Sequence, residues 1–329
     1  MKKRLSLPFE MPDFICQSNY MAGNAIVRSN AKGDKLMALM APRCLNCRFD
    51  EESKNQKFVV ATYDQWYRNE GFIQFQMVKF LKDTFIEMNT DIIRIIKKLI
   101  SDGCYVYSAC ERSYVEPEAE KGAPVLYFLI TGYDDIAHEL TMYGLNHNFD
   151  EFKCFKVGYS DFIDALFATS SNMIKLDAWI CDTEREIVLD TRHLARELSD
   201  YINSVCTRKE YTADKIYGFA AIEMLAKYFL ESAKNGEELY KPYLDKLVFQ
   251  KKLMRDRIEY LSRLGMVDAS HIAEADAVLA IAEDIKEYAR LFASEHNLAY
   301  VEKLCDSIYT TIDMEKEYLP NVLGEVRGG

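Results

Sequence analysis

The chain has 329 residues, 49% of them apolar, 28% charged and 12% aromatic, which excludes an extended disordered protein and gives enough length for one large or two medium cores. The formal charge of −11 repels phosphodiesters and anionic lipid surfaces, and no basic stripe offsets it, so nucleic acid and membrane are set aside as partners. The Met1-Lys2-Lys3-Arg4 opening is followed by only Leu5 to Phe9 before Glu10 and Asp13. It predicts no export signal, and no run approaches the roughly 18 apolar residues of a membrane span. Nine cysteines without framework spacing then predict reduced thiols in a cytoplasmic protein.

In chain order, an extended start ends at Pro12, and a helix is predicted from about Cys16 to Ser29, closed by a Lys32-Gly33-Asp34 turn. Cys44-Leu45-Asn46-Cys47 is a lone CxxC with no second ligand pair and no thioredoxin-like strand before it, so two unlinked loop thiols are expected. From Gln74 to Ser101 apolar residues recur at three and four and predict two helices, the second capped by Thr90. Cys104 to Cys110 reads as a strand, and a polar loop with Pro117, Gly122 and Pro124 follows.

A hairpin is expected next, with Val125 to Tyr133 and His138 to Leu145 as its strands. Phe152 to Val157 is a third strand, leading into a helix capped by Ser160. Strands around Met173 to Trp179 and Glu186 to Val188 precede a helix from Thr191 to Asn203. Beyond Cys206 only helical periodicity remains, over 217–232, 238–265, 270–296 and 299–318. The fold class expected is therefore α+β, with a sheet-bearing domain over 1–205 and an all-helical module over 206–329.

A helix N-terminus lowers a thiol's pKa and offers N–H groups to an oxyanion, and Cys16 is the cysteine so placed. Around it the chain resembles the papain-like N-terminal domains of butirosin-type acyltransferases and the related closthioamide-type amide synthases. The resemblance rests on Phe14-Ile15-Cys16 heading a helix, on Phe128-Leu129-Ile130-Thr131-Gly132-Tyr133-Asp134-Asp135, and on Tyr159-Ser160-Asp161-Phe162. It extends to Tyr217-Gly218 and to Lys252 through Leu261.

The resemblance implies a papain-like cysteine-peptidase fold followed by the helical module, in a cytoplasmic enzyme needing no metal or cofactor. It also implies a Cys16 nucleophile that takes an acyl or peptidyl group from a carrier-protein thioester and passes it to an amine acceptor, as in nonribosomal peptide and similar natural-product biosynthesis. A homodimer is left open.

One departure stands out. The family's general base falls six residues before the glycine of the Gly-Tyr-Asp turn, and that position is Leu126. If residue 134 faces 137 across the hairpin, 126 faces 145 and 124 faces 147, which puts His147 on the face of Leu126 as a replacement base, with Asn146 beside it to orient the ring. A slip of one residue reverses that face. Glu10 occupies the place where related folds keep an amide donor for the oxyanion. His138, His193, His271 and His296 are expected in surface or capping roles, and Asp134 and Asp135 in turn formation. The charge-rich face of Lys251, Lys252, Arg255, Asp256 and Arg257, basic on balance, is the best local match to an acidic carrier protein. The other reading is a catalytically silent scaffold that binds an intermediate, a carrier protein or an active homologue.

Overall fold

The computed structural model describes residues 2–12, 18–53, 57–60, 71–87, 91–120, 125–148, 151–207 and 215–328. It is mixed, with 54% helix and 20% strand, and its sheets are antiparallel. Contacts divide the chain into two compact units, Met1–Lys32 with Gln65–Glu186, and Gly33–Asp64 with Ile187–Gly329. Residues 33–64 and 187–205, which the sequence reading groups with the sheet region, thus fall with the helices.

In the first unit, β1 (Arg4–Ser6) and α1 (Ser18–Asn30) precede the strands β4 (Ile73–Leu81), β5 (Tyr105–Cys110), β6 (Leu126–Asp134), β7 (Glu139–Leu145), β8 (Phe152–Gly158) and β9 (Met173–Cys181). These form a seven-stranded sheet in the order β4-β9-β5-β6-β7-β8, with β1 paired to the Gly132 to Asp134 end of β6. Three helices complete the described part of the unit: α3 (Lys82–Glu87), α4 (Ile92–Ser101) and α5 (Tyr159–Ala168).

Alternate strand residues go to opposite faces. Val106, Cys110, Phe128, Ile130, Met142, Phe155 and Leu176 cluster with Ile92, Ile96 and Ile100 of α4 and with Phe162 and Leu166 of α5. Their neighbours Tyr105, Tyr107, Tyr127, Tyr143 and Trp179 belong to the other face. There α1 lies across β6, β7 and β9, and the Asn30 amide donates to the Tyr105 hydroxyl at 3.0 Å.

Four sequence expectations change here. Residues 74–81 are strand β4, paired with β9 from Ile73↔Cys181 to Leu81↔Met173, not helix. Both faces of β4 are half exposed, so no clean period of two shows, and its apolar residues fall by coincidence at helical spacing. Glu186 to Val188 is not a strand; it lies where the chain passes between the two units, with Val188 exposed. The cap of α4 is the Asp91 carboxylate, which accepts from the Arg94 amide at 2.9 Å, and Thr90 lies outside the described residues. Gly158, not Ser160, holds the N-cap of α5.

The second unit holds a small sheet of β10 (Ile216–Tyr217), β2 (Cys47–Phe49) and β3 (Phe58–Val60), which corrects the expectation that no strand follows Cys206. Around it stand α2 (Gly33–Met40), α6 (Thr191–Ile202), α7 (Gly218–Lys234), α8 (Lys241–Arg263), α9 (Ser270–Glu295) and α10 (Leu298–Gly328). The expected Lys32-Gly33-Asp34 turn is instead the start of α2. Helix α10 runs past the expected stop at Tyr318 and through Pro320, because Leu319, Val322, Leu323 and Val326 continue its buried stripe.

Candidate functional site

Cys16 lies outside the described residues, which resume at Ser18 in α1. Glu10 can be placed. Its carboxylate is held by Arg28 (Nη2 to Oε1, 3.1 Å) and by Lys32, and its amide donates to Ser29 Oγ at 2.7 Å. The Lys32 hydrogen bond, assisted by Arg28, keeps that carboxyl below its usual range despite partial burial. Arg28 and Ser29 are at the C-terminal end of α1, about 15 Å along the helix from Ser18. Glu10 therefore serves that end of the helix and takes no part in an oxyanion site at its start.

The hairpin register differs from the expected one. Asp134 pairs with Glu139 and Tyr133 with Leu140, so the turn spans Asp135 to His138, with His138 in the left-handed region at φ 57°. The Asp134 carboxylate accepts the amides of Ile136 and Ala137, the turn role expected of it. A bulge then absorbs Thr131, leaving Ile130 opposite Met142 and Leu129 opposite Tyr143. Carried on, this register sets 126 across from 146, not 145, so the geometric basis on which His147 would share the face of Leu126 is lost. Leu126 itself packs against the α4 and α5 cluster, on the face of the sheet opposite α1.

His147 nevertheless sits in a polar constellation that sequence reasoning missed. Its Nδ1 donates to Glu116 Oε1 at 3.0 Å, and Lys153 Nζ reaches the same oxygen at 2.9 Å. The Glu116 side chain is 1% exposed while the imidazole is 37% exposed, so a sealed carboxylate holds a ring open to solvent. A carboxylate can only accept, which fixes a proton on Nδ1, so that in the neutral ring the lone pair falls on Nε2. Burial raises the Glu116 pKa, but the bonds from His147 and Lys153 outweigh it and keep the group ionised below the ordinary carboxylate range.

Arg112, on a short 3-10 turn over Arg112–Tyr114, donates from Nη1 to the His147 carbonyl at 2.9 Å. That turn is fastened to α5 by the Glu111 amide bonded to the Ala165 carbonyl at 2.9 Å. The imidazole thus lies on the α5 side of the sheet end. Asn146 is buried and closes the β7–β8 loop, its Oδ1 accepting the Glu151 amide at 3.2 Å. Glu116 holds the ring.

The α1 face carries a second group. Tyr107 stacks on Tyr127 with ring centroids 5.1 Å apart and tilts against Trp179 at 4.9 Å. Lys175 lies 5.2 Å above the Tyr127 ring and pairs with Asp177 Oδ2 at 3.1 Å, while the buried Oδ1 of Asp177 has no hydrogen-bond partner among the described residues. Cys44 and Cys47 are both buried in the second unit, Cys44 with φ 50° and Cys47 on β2. Burial pushes the Cys47 thiol up to about 12, so it is protonated and inert as a nucleophile. Among the described residues no group of acidic, histidine and cysteine side chains is arranged to hold a metal ion, and no helix is long and apolar enough to cross a membrane.

No known family matches the chain, and no curated protein is similar to it. Any functional conclusion therefore stands on its own residues.

Glu116 was legible only as part of a polar loop, because the residue types that tie it to 147 and 153 are far away in sequence. The alternation that puts Tyr107, Tyr127, Lys175 and Asp177 on one face is present in the sequence, but the strand pairing that brings them together is not.

Proposed function

We propose that the chain is a thiol-dependent acyl or peptidyl transferase, an amide synthase of peptide-type specialised metabolism, built on a papain-like scaffold with Cys16 as nucleophile. The ordered motifs around 14–16, 128–135 and 159–162 support it. The observation that carries it is the Glu116–His147 pair, an imidazole oriented by a buried carboxylate with Nε2 left to move a proton.

In the first half-reaction the Cys16 thiolate attacks the thioester carbonyl of a carrier-bound acyl group. The tetrahedral intermediate expels the pantetheine thiolate, which takes a proton from the imidazolium. In the second, the acceptor amine attacks the acyl-cysteine carbonyl, gives its proton to the imidazole and releases the Cys16 thiolate as the amide forms.

A specific observation favours a second reading, the catalytically silent scaffold. Leu126 packs into the α4 and α5 cluster, and Glu116 draws His147 to the α5 side of the sheet end, whereas α1 lies on the other face. Incubation with an acyl-pantetheine thioester followed by intact-mass analysis separates the two. The enzyme requires an adduct that Cys16→Ala abolishes and that His147→Ala and Glu116→Gln form at least tenfold more slowly. No adduct between pH 6 and 9 leaves the silent scaffold.

A further inference from the structure

The buried stripe of α9 runs through His271, Ala275, Val278, Ala282, Ile285 and Phe292, at alternating steps of four and three that leave Ala289 as its missing member. Ala275 and Ala282 are sealed by their neighbours, whereas Ala289 is only half-buried and borders a hollow of about 340 Å³. A methyl group is too short to fill the space beside Leu239, Leu244 and Phe292. Protein interiors hold few voids larger than a water molecule, and this one opens between the start of α8 and the end of α9. Its volume lies at the small end of ligand pockets, which run from ~300 to 1,000 Å³.

The charges around the hollow favour one sign of ligand. Arg255 pairs with Asp276 at 2.8 Å and Asp245 with Lys286 at 3.4 Å, two cross-helix ion pairs ten residues apart on each helix that set α8 antiparallel to α9. One turn further along, the same register brings Lys241 level with Arg290, so two cations share the mouth. Glu287 holds the Arg290 guanidinium by two hydrogen bonds from the same helix, and Lys241 has no partner among the described residues. The lining carries three cations, Lys241, Lys286 and Arg290, against the two carboxylates of Glu238 and Asp245. We propose that this hollow binds a small amphipathic carboxylate, with its apolar body on Leu244, Ala289 and Phe292 and its anionic end hydrogen-bonded by Lys241 beside Arg290. An anion at the mouth relieves the repulsion between the two cations, which a neutral molecule of the same shape does not. The lining belongs wholly to the second unit, so binding there needs no thiol chemistry.

Octanoate and 1-octanol, titrated separately into the full chain by calorimetry, differ only in the charged end. Wild type should bind octanoate saturably with a Kd below about 1 mM, and 1-octanol at least about tenfold more weakly, since the alcohol leaves the two cations unneutralised. Ala289→Leu puts a longer side chain into the hollow, and it should abolish octanoate binding while the thermal midpoint is kept or raised. Lys241→Gln, an exposed change that tests the site even where the leucine is not accommodated, should weaken octanoate at least about tenfold and leave 1-octanol unchanged. No saturable octanoate binding to wild type, octanoate binding that survives Ala289→Leu or is unmoved by Lys241→Gln, or 1-octanol binding as tight as octanoate would overturn the assignment.

Discussion

The buried carboxylate of Glu116 holds the imidazole of His147 through Nδ1 at 3.0 Å, and Lys153 shares the same carboxylate oxygen. This pair is sealed on one side and open on the other. Such an arrangement turns a loop histidine into a ring of fixed tautomer and orientation, whether it moves protons for Cys16 or only closes the sheet end.

Because the folded pKa of Glu116 is depressed, the stability it contributes is present above the unfolded carboxylate value of about 4.3 and is lost as pH falls through the folded value. Glu116→Gln should therefore destabilise the chain by about 1–3 kcal/mol at pH 7 and weaken the decline in stability on acidification below about pH 4.5. Urea unfolding at pH 7 and pH 3.5 checks this; an equal loss at both pH values would show that the carboxylate charge is not what matters.

In the second unit Lys251 and Glu315 form a fully buried ion pair at 2.6 Å, and the Tyr201 hydroxyl donates to the same carboxylate oxygen at 2.6 Å. Both charges are 0% exposed, so this pair is a core element and not the acidic-partner surface that a basic face around Lys251 suggests. Removing one partner leaves a charge unpaired in the core, and Lys251→Met should cost about 3–5 kcal/mol. The double change Lys251→Met with Glu315→Leu should cost much less than the sum of the singles, which a double-mutant cycle by thermal unfolding measures.

Gly218 opens α7 at φ +57°, with its amide donating to Asn46 Oδ1 at 2.9 Å. A Cβ there would stand 2.2 Å from the Tyr201 carbonyl oxygen, which is backbone and cannot swing away. Strain and overpacking act together, so Gly218→Ala should destabilise by about 2–5 kcal/mol. Gly236→Ala, also at positive φ but with nothing within 4 Å, should cost distinctly less. Similar losses at the two sites would remove the steric argument.

Thiol reactivity should follow exposure. Cys154 is exposed, whereas Cys44, Cys47, Cys110 and Cys305 are buried, with burial raising the pKa of Cys47 to about 12 and of Cys305 to about 11. In a Cys16→Ala background an aromatic disulfide reagent at pH 8 should label Cys154 within minutes and the four buried thiols only in denaturant. Peptide mapping that found Cys47 labelled as fast as Cys154 in the native protein would contradict the burial.

Much of the fold was legible in local patterns. The strands at 105–110, 126–134, 139–145, 152–158 and 173–181 follow from short apolar runs between turn signals, and α7 to α10 from a stripe at three and four. Strand β4 was not legible, since its half-exposed faces erase the alternation that marks a strand. The register of β6 on β7 was missed for a related reason, because the bulge at Thr131 is set by how β1 and β7 both dock on β6 and leaves no mark in composition.

The sequence by itself determined the mixed class, most of the elements, and the residue types able to carry thiol and imidazole chemistry, because helix and strand periods are properties of neighbouring residues. Only the tertiary structure decided that Leu126 joins an apolar cluster, that Glu10 braces the far end of α1, and that Glu116 captures His147. Those outcomes depend on which strand face each side chain takes and on which distant charge it meets. A shift of one residue in pairing reverses the face without changing a single letter of the chain.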